Sequence, residues 1–437
     1  MNRIGEDRVM RKIAYSLAIV LLLSACNSES TDKSTAEEQT KQEVMHMEEA
    51  LLGKWQGMIE IPQSPLEIIL NLEESSGSIS VPAQGSSDFA FESIKYNESD
   101  VAITINLAGS QVKIAGKLKS GTIEGTFMQN GQSYPITLKP FKETPVTYEE
   151  LLIPVAGGEL KAALEMPDKA TGELVIIHAG SGPTNKDGNT IGAGSNNSLK
   201  MIAESLAEQG IASIRFDKRG IGDNAALTKK EEELTFDMYV EDVKAIVDYA
   251  KKDDRFNDIH LLGHSEGALI MTLAAQQNDV ASLISIAGIG RPADEILMEQ
   301  LSASLPPNLL LESEKALQQL KAGKKVETVS AQLQSLFRPS VQPYMISWLK
   351  YDPQQEISNV NVPIIILQGK KDIQVTEKDA ENLYAANNQA TIHYFDKMNH
   401  VLKDVEGDRD QNLASYYNPD LPLTNGLIEE ITEFIKQ

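Results

Sequence analysis

The segment Ile259-His260-Leu261-Leu262-Gly263-His264-Ser265-Glu266-Gly267-Ala268 contains the turn that decides the fold class. The apolar residues before the turn predict a buried strand, and the residues from Ala268 to Gln276 predict a helix. Gly263 and Gly267 stand two positions on either side of Ser265, where small residues let the backbone bend sharply from strand into helix. Such a turn lifts the serine hydroxyl above a sheet edge and points the positive end of the helix at it. We therefore interpret Ser265 as a candidate nucleophile.

Strand and helix patterns alternate on both sides of this turn, over residues 147–437. A continuous apolar run, which is typical of a strand covered on both faces, occurs within Glu173–His178, Val362–Gln368 is a second buried strand pattern, and Ala212–Asp217 and Ala281–Ala287 are also predicted strands. The alternation predicts an α/β fold with a mostly parallel sheet flanked by helices. Residues 291–353 contain only helical patterns, which predicts a helical cap inserted at the carboxyl edge of the sheet.

Residues 49–143 have a different pattern, in which apolar and polar residues alternate. Leu66, Ile68, Leu70 and Leu72 show this period of two, which is typical of half-buried strands. Asn130-Gly131 between two such runs predicts a tight hairpin turn. About seven or eight short strands are expected, and they predict a small antiparallel β-barrel or β-sandwich before the α/β domain.

Residues 1–25 are predicted to be a lipoprotein signal peptide. Basic residues precede the apolar run Ile13–Leu23, which is shorter than the roughly 20 residues of a membrane-spanning helix. Leu23-Ser24-Ala25-Cys26 resembles the lipobox of bacterial lipoproteins, which implies that Cys26 is diacylated and becomes the mature N-terminus. Residues 26–48 are mostly polar and predict a flexible tether. We expect a lipid-anchored protein on the outer face of the cytoplasmic membrane, attached by this lipid only.

Composition excludes several classes of function. The 437 residues carry a net charge of −23, which repels phosphate backbones, so we expect no nucleic-acid partner. A single cysteine excludes intrachain disulfides and cysteine-rich zinc sites. The six histidines lack paired metal-binding spacing, and the glycine motifs that bind dinucleotides or phosphates do not occur. We therefore predict no metal ion and no cofactor.

A serine nucleophile needs a base within hydrogen-bonding reach, and only His393 and His400 follow Ser265 in the chain. In this architecture the acid and then the histidine follow the serine. His393 lies in the alternating strand pattern Thr391–Phe395, where we expect a structural role. His400 follows that strand at the carboxyl edge, where ligands bind in open α/β sheets. We therefore assign the base to His400.

The acid that orients the histidine should follow the preceding strand, Val362–Gln368. Asp372 is the first carboxylate after this strand. Asp379 belongs to the next helix pattern, and Asp396 ends the strand of His393. We therefore predict that Asp372 is the acid.

Acyl transfer also needs backbone amides that bind the oxyanion. One is expected to be the N–H of Glu266, directly after the nucleophile, and the other should lie in the loop after the first buried parallel strand. That loop reads His178-Ala179-Gly180-Ser181-Gly182-Pro183. We predict the amide of Ser181 as the second donor, with Gly180 and Gly182 as alternatives.

Two further features have more than one interpretation. Asp217-Lys218-Arg219-Gly220-Ile221-Gly222 follows a strand, and we favour a role in fixing a loop by an ion pair over one in shaping the substrate rim. The side chain of Glu266 either contacts a cationic group or caps its own helix.

The combination of these motifs resembles the α/β-hydrolase family, nearest to bacterial esterases of the serine aminopeptidase-like and dienelactone-hydrolase-like branches. The resemblance covers Thr147–Gln437, although Ala179 stands where many relatives have glycine. It implies a serine hydrolase that cleaves carboxylic esters through a Ser-His-Asp acyl-enzyme mechanism, with a small-molecule ester or a short peptide as substrate. The alternatives are a serine peptidase that releases N-terminal residues and a non-catalytic binding lipoprotein. The matching residues are Gly180-Ser181-Gly182-Pro183, Asp217-Lys218-Arg219-Gly220, Gly263-His264-Ser265-Glu266-Gly267, Gly369-Lys370-Lys371-Asp372 and His400.

Overall fold

The computed structural model describes residues 50–62, 65–81, 86–107, 110–142, 146–190 and 194–437. Two β-sheets are formed within these residues. The predicted signal peptide, Cys26 and the tether to residue 48 lie outside the described residues. None of the helices in the described ranges is both long and apolar enough to cross a membrane.

The first sheet contains nine antiparallel strands, in the order β4-β3-β2-β1-β9-β8-β7-β6-β5. Neighbours in this sheet are neighbours in the chain, except that β1 pairs with β9, as in an up-and-down barrel that is open between β4 and β5. The strands are β1 Gly53–Ile59, β2 Leu66–Leu72, β3 Gly77–Val81, β4 Ser86–Ala90, β5 Ser93–Asn97, β6 Asp100–Leu107, β7 Ser110–Lys119, β8 Thr122–Gln129 and β9 Gln132–Pro140.

The period-two pattern of the sequence explains how this sheet forms its core. Ile68, Leu70 and Leu72 of β2 are buried, and the buried Trp55 donates from its indole N–H to the carbonyl of Leu51 at 2.8 Å. Positive φ angles of 50° and 78° at Asn130 and Gly131 form the predicted hairpin turn. The predicted antiparallel β-domain is confirmed, as a single barrel-like sheet. The predicted count of seven or eight strands was too low. Strands of five residues, such as β3, β4 and β5, show too little alternation to be recognised as separate strands in the sequence.

The second sheet contains eight strands, in the order β10-β11-β13-β12-β14-β15-β16-β17. The strands from β12 to β17 are parallel, and the first two are antiparallel to their neighbours. The predicted mostly parallel sheet is therefore confirmed. The strands are β10 Glu149–Val155, β11 Gly158–Glu165, β12 Glu173–His178, β13 Ala212–Phe216, β14 Asp258–His264, β15 Ser282–Ile286, β16 Ile364–Gly369 and β17 Thr391–Phe395.

Helices cover both faces of this sheet. Separate hydrophobic cores form on the two faces, one including Leu199 and Ile431, the other including Ile246 and Leu269. The central strands β12, β13, β15 and β16 are buried on both sides, which explains why apolar residues dominate them. The helices are α1 Ser198–Glu208, α2 Phe236–Ala250, α3 Glu266–Ala275, α4 Ala293–Ser302, α5 Pro307–Lys321, α6 Gln334–Phe337, α7 Gln342–Trp348, α8 Pro353–Ser358, α9 Glu377–Ala386, α10 Arg409–Ser415 and α11 Leu427–Ile435.

The segment between β15 and β16 is helical and includes α4 to α7. Its helix α7 packs on α2, where the ring of Phe236 stacks on Trp348 with centroids 6.0 Å apart. The backbone N–H of Phe236 also donates to the hydroxyl of Ser347 at 2.7 Å. At the start of the segment, the guanidinium of Arg291 donates to the buried carboxylate of Asp379 at 2.8 and 2.9 Å. These contacts fix both ends of the inserted helices to the sheet domain.

Candidate active site

Ser265 occupies the sharp turn between β14 and α3. Its backbone has φ 55° and ψ −122°, a conformation that non-glycine residues rarely adopt and that costs about 1–3 kcal/mol. A Cβ atom on Gly263 would lie 2.3 Å from the carbonyl oxygen of Gly267, and one on Gly267 would lie 2.6 Å from the carbonyl oxygen of His178. Only glycine therefore fits at these two positions. The turn leaves Ser265 8% exposed, at the end of a central strand.

His400 and Asp372 lie on loops that follow neighbouring strands. Nδ1 of His400 is 2.7 Å from Oδ2 of Asp372, whose side chain is fully buried. Because a carboxylate only accepts, Nδ1 carries the proton and Nε2 is left as a free base. The other carboxylate oxygen accepts from the backbone N–H groups of Gln374 and Val375, at 2.8 and 2.9 Å. The imidazole is thus held in one tautomer and one orientation.

The other predicted candidates have partners elsewhere. His393 lies 3.2 Å from Glu430 of α11, as expected of a structural residue. Asp379 binds Arg291, and the exposed Asp396 binds Lys370 at 2.8 Å. Among these groups, the structure brings only Asp372 into contact with His400.

His264 connects the serine turn to the loop of His400. Its Nε2–H donates to the backbone carbonyl of His400 at 2.8 Å, and the two rings are 4.8 Å apart. Burial, together with the neighbouring His400, lowers the pKa of His264 to about 3, so this imidazole is neutral. No role of His264 was predicted from the sequence, although its position directly before the serine is a signal that could have identified it.

The loop after β12 lies against the nucleophile. A Cβ atom on Gly180 would be 3.1 Å from the Cβ atom of Ser265 and 3.4 Å from the carbonyl oxygen of His264. Within the described part of the chain, the amides of Ser181 and Glu266 donate to no acceptor. Both predicted oxyanion donors therefore lie next to Ser265, one in space and one in sequence, with N–H groups that are free to bind an anion.

The segment Asp217-Lys218-Arg219 holds this loop to the rest of the domain. Asp217 accepts from the backbone N–H of Lys186 at 2.7 Å, and Lys218 donates from Nζ to the carbonyl of Gly180 at 2.5 Å. Arg219 donates to both carboxylate oxygens of Asp242, at 3.0 and 2.5 Å. All three side chains are buried. The segment thus fixes the loop, as the favoured interpretation predicts, through the ion pair of Asp217 with Lys186 at 3.5 Å, while Arg219 joins the segment to Asp242 of α2.

Lys218 and Glu266 are buried charged groups close to the nucleophile. Burial lowers the pKa of Lys218, and the negative charge of Glu266 opposes this shift. Burial also raises the pKa of Glu266, while Lys218 and the hydroxyl of Tyr344 on α7 oppose that shift. Glu266 is only 1% exposed, so its carboxylate is not accessible from solvent.

In the described ranges, no group of three or more histidine, cysteine, aspartate or glutamate side chains is placed to hold a metal ion. The site contains a serine in a strained turn, an imidazole oriented by a carboxylate and two amides without an acceptor among the described residues. A mostly parallel sheet with this turn at the end of a central strand defines an α/β-hydrolase. The eight-stranded sheet and its helices form an esterase-like α/β-hydrolase, and the chain is a hydrolase.

Comparisons with known proteins agree with this class. The family model described as serine aminopeptidase, S33, matches residues 193–406. The esterase EstD of Thermotoga maritima is 27% identical over 305 residues, which cover 66% of this chain and 68% of that protein.

Solved structures with a similar fold were also found. Est1E from Butyrivibrio proteoclasticus, with ferulic acid bound, is 20% identical and has a TM-score of 0.44 over 65% of this chain and 96% of that chain. Proline iminopeptidase from Mycobacterium smegmatis is 16% identical and has a TM-score of 0.42 over 66% of this chain and 98% of that chain.

Proposed function

We propose that the protein hydrolyses carboxylic esters through an acyl-enzyme on Ser265. The serine oxygen attacks the ester carbonyl while Nε2 of His400 takes its proton, and the amides of Ser181 and Glu266 bind the oxyanion. The bond to the alcohol then breaks, and the alcohol leaves with the proton held by His400. Water, deprotonated by the same imidazole, releases the acid and restores the serine. The 2.7 Å contact between His400 and the buried Asp372, beside the strained turn of Ser265, carries this proposal.

An ester substrate is favoured over the N-terminus of a peptide by the surroundings of Glu266. A peptidase that releases N-terminal residues would need an accessible carboxylate to bind the substrate ammonium. Glu266 is only 1% exposed. An incoming ammonium therefore could not reach this carboxylate.

Replacement of Ser265 by alanine tests the nucleophile. A fluorophosphonate probe should label the wild-type protein and fail to label Ser265→Ala, and hydrolysis of p-nitrophenyl esters should be lost together with labelling. His393→Ala is the matched control, because this histidine pairs with Glu430 and should leave both readouts unchanged. Labelling of Ser265→Ala would refute the assignment. Faster turnover of aminoacyl p-nitroanilides than of esters would favour the peptidase.

We also propose that Cys26 anchors the protein by a diacylated N-terminus on the outer face of the cytoplasmic membrane. The basic, apolar and small-residue order of residues 1–26 supports this location. Two acyl chains give stable attachment where one chain is marginal. The hydrolase would then act on substrates outside the cytoplasm.

A further inference from the structure

The carbonyl oxygen of Gly180 is the point where the loop after β12 meets a buried charge. Lys218, which is 1% exposed, donates to it from Nζ at 2.5 Å. The same ammonium lies 5.4 Å from the centre of the Tyr239 ring, on the face that attracts cations. Burying an ammonium is unfavourable unless it makes strong interactions, so its position is closely defined by these partners.

The carbonyl of Gly180 and the N–H of Ser181 belong to the same peptide group. A trans peptide is planar, and its carbonyl and N–H bonds point in opposite directions. A partner that holds the carbonyl of Gly180 therefore also fixes the direction of the Ser181 N–H. Gly180 lies so close to Ser265 that a small rotation of this peptide changes the geometry beside the nucleophile.

Each of the three amides that the sequence left open as oxyanion donors belongs to a peptide whose carbonyl has a partner. The carbonyl of Ala179, in the peptide of the Gly180 N–H, contacts His178, and the carbonyl of Ser181, in the peptide of the Gly182 N–H, accepts from Thr184. Only the peptide of the Ser181 N–H is held by a buried ammonium, and this N–H has no acceptor among the described residues. The peptide fixed by the buried ammonium is thus that of Ser181.

We propose that Lys218 is a positioning residue, which holds the Gly180 carbonyl so that the Ser181 amide serves as the second oxyanion donor. The proposal rests on the proposed ester hydrolysis by Ser265. Lys218 touches neither the substrate nor the reacting atoms. It acts on the rate through the orientation of one peptide group.

The test is Lys218→Met, which keeps much of the side-chain volume and removes the ammonium. Because loss of one oxyanion donor lowers kcat by about 10²–10³-fold, we expect a decrease of about 10–100-fold for a misplaced donor, with KM within about threefold. The inhibition constant of an alkyl trifluoromethyl ketone, which forms a tetrahedral adduct on serine, should weaken by a similar factor. Lys200→Met is the control, because it removes a partly exposed ammonium from α1, which follows the same loop, and the partner of that ammonium is Glu204 of the same helix.

A second variant tests Ser181 directly. An α-hydroxy acid placed at position 181 turns the Gly180–Ser181 amide into an ester and removes the N–H. If both changes act on one donor, the loss in kcat of the double variant will be clearly smaller than the product of the two single losses. If Lys218→Met does not fold, the single variant at position 181 still tests the proposal, because a kcat within threefold of wild type would show that the amide which Lys218 is proposed to position is not an oxyanion donor.

Three results would overturn the proposal. They are a kcat of folded Lys218→Met within threefold of wild type, a rise in KM in place of the fall in kcat, and multiplicative losses in the double variant. Failure of the proposed function would be seen separately, as fluorophosphonate labelling of Ser265→Ala or as absence of ester hydrolysis by the wild-type protein.

Discussion

The carboxylate of Asp372 is held from both sides, by His400 at one oxygen and by the amides of Gln374 and Val375 at the other. The arrangement leaves the carboxylate with no freedom to turn away from the imidazole. Its part in catalysis would be to keep the proton on Nδ1 and to stabilise the imidazolium that forms when Nε2 takes a proton.

Asp372→Asn should therefore lower kcat by about 10⁴-fold, because the amide can donate to Nδ1 and stabilise the wrong tautomer of His400. KM should change little, and kcat from initial rates on a p-nitrophenyl ester is the measurement. Asp396→Asn is the matched control at the end of the next strand, where the carboxylate is exposed and binds Lys370. A fall of less than tenfold in Asp372→Asn would contradict the role of this acid.

At the level of elements, the loop after β17 is built to hold His400. The backbone N–H of Asn399 donates to the carbonyl of Lys403, and the N–H of Lys403 donates to the side chain of Asn399, both at 3.0 Å. The ammonium of Lys403 is fully buried, where it contacts the sulfur of Met201 and the carbonyl of Leu421. The loop is therefore held in place by a lysine whose ammonium is buried.

Burial lowers the pKa of Lys403 from 10.5 to about 8. Between these two pH values the unfolded chain binds more protons at this residue than the folded chain, so its contribution to stability rises with pH. Lys403→Met should abolish this rise. The free energy of unfolding of the variant, measured relative to that of wild type, should therefore be about 2–3 kcal/mol higher at pH 7 than at pH 10.5.

Urea unfolding of both proteins at pH 7 and at pH 10.5 measures this difference. The comparison between variants removes the effect of other groups that titrate in the same range. An equal change in unfolding free energy for both proteins would show that the pKa of Lys403 is the same in the folded and in the unfolded chain.

At the level of the whole molecule, a nine-stranded antiparallel sheet precedes the hydrolase domain, and the predicted lipid site precedes both. Cys26→Ser should release the protein from the membrane fraction, because no acyl chain could then be attached. Cells fed an alkyne fatty acid should incorporate it into the wild-type protein and not into the variant. Membrane retention of Cys26→Ser, without label, would show that another segment anchors the chain.

Much of the hydrolase domain followed from the sequence because its requirements are local. Alternating apolar runs and helical patterns indicated the parallel sheet, since strands buried on both faces must be apolar along their length. The serine turn was recognisable because Gly263 and Gly267 are required within a few residues of Ser265. His400 and Asp372 were assigned from chain order, and the structure brings these two side chains into contact.

The sequence by itself thus determined the α/β class, the position of the serine turn and the candidates for the base and the acid. Only the tertiary structure decided that His264 binds the carbonyl of His400, 136 residues away, and that Lys218 binds the carbonyl of Gly180, 38 residues away. Such contacts depend on which strands become neighbours in the sheet. Strand pairing is a property of the whole chain, and no local pattern of residues encodes it.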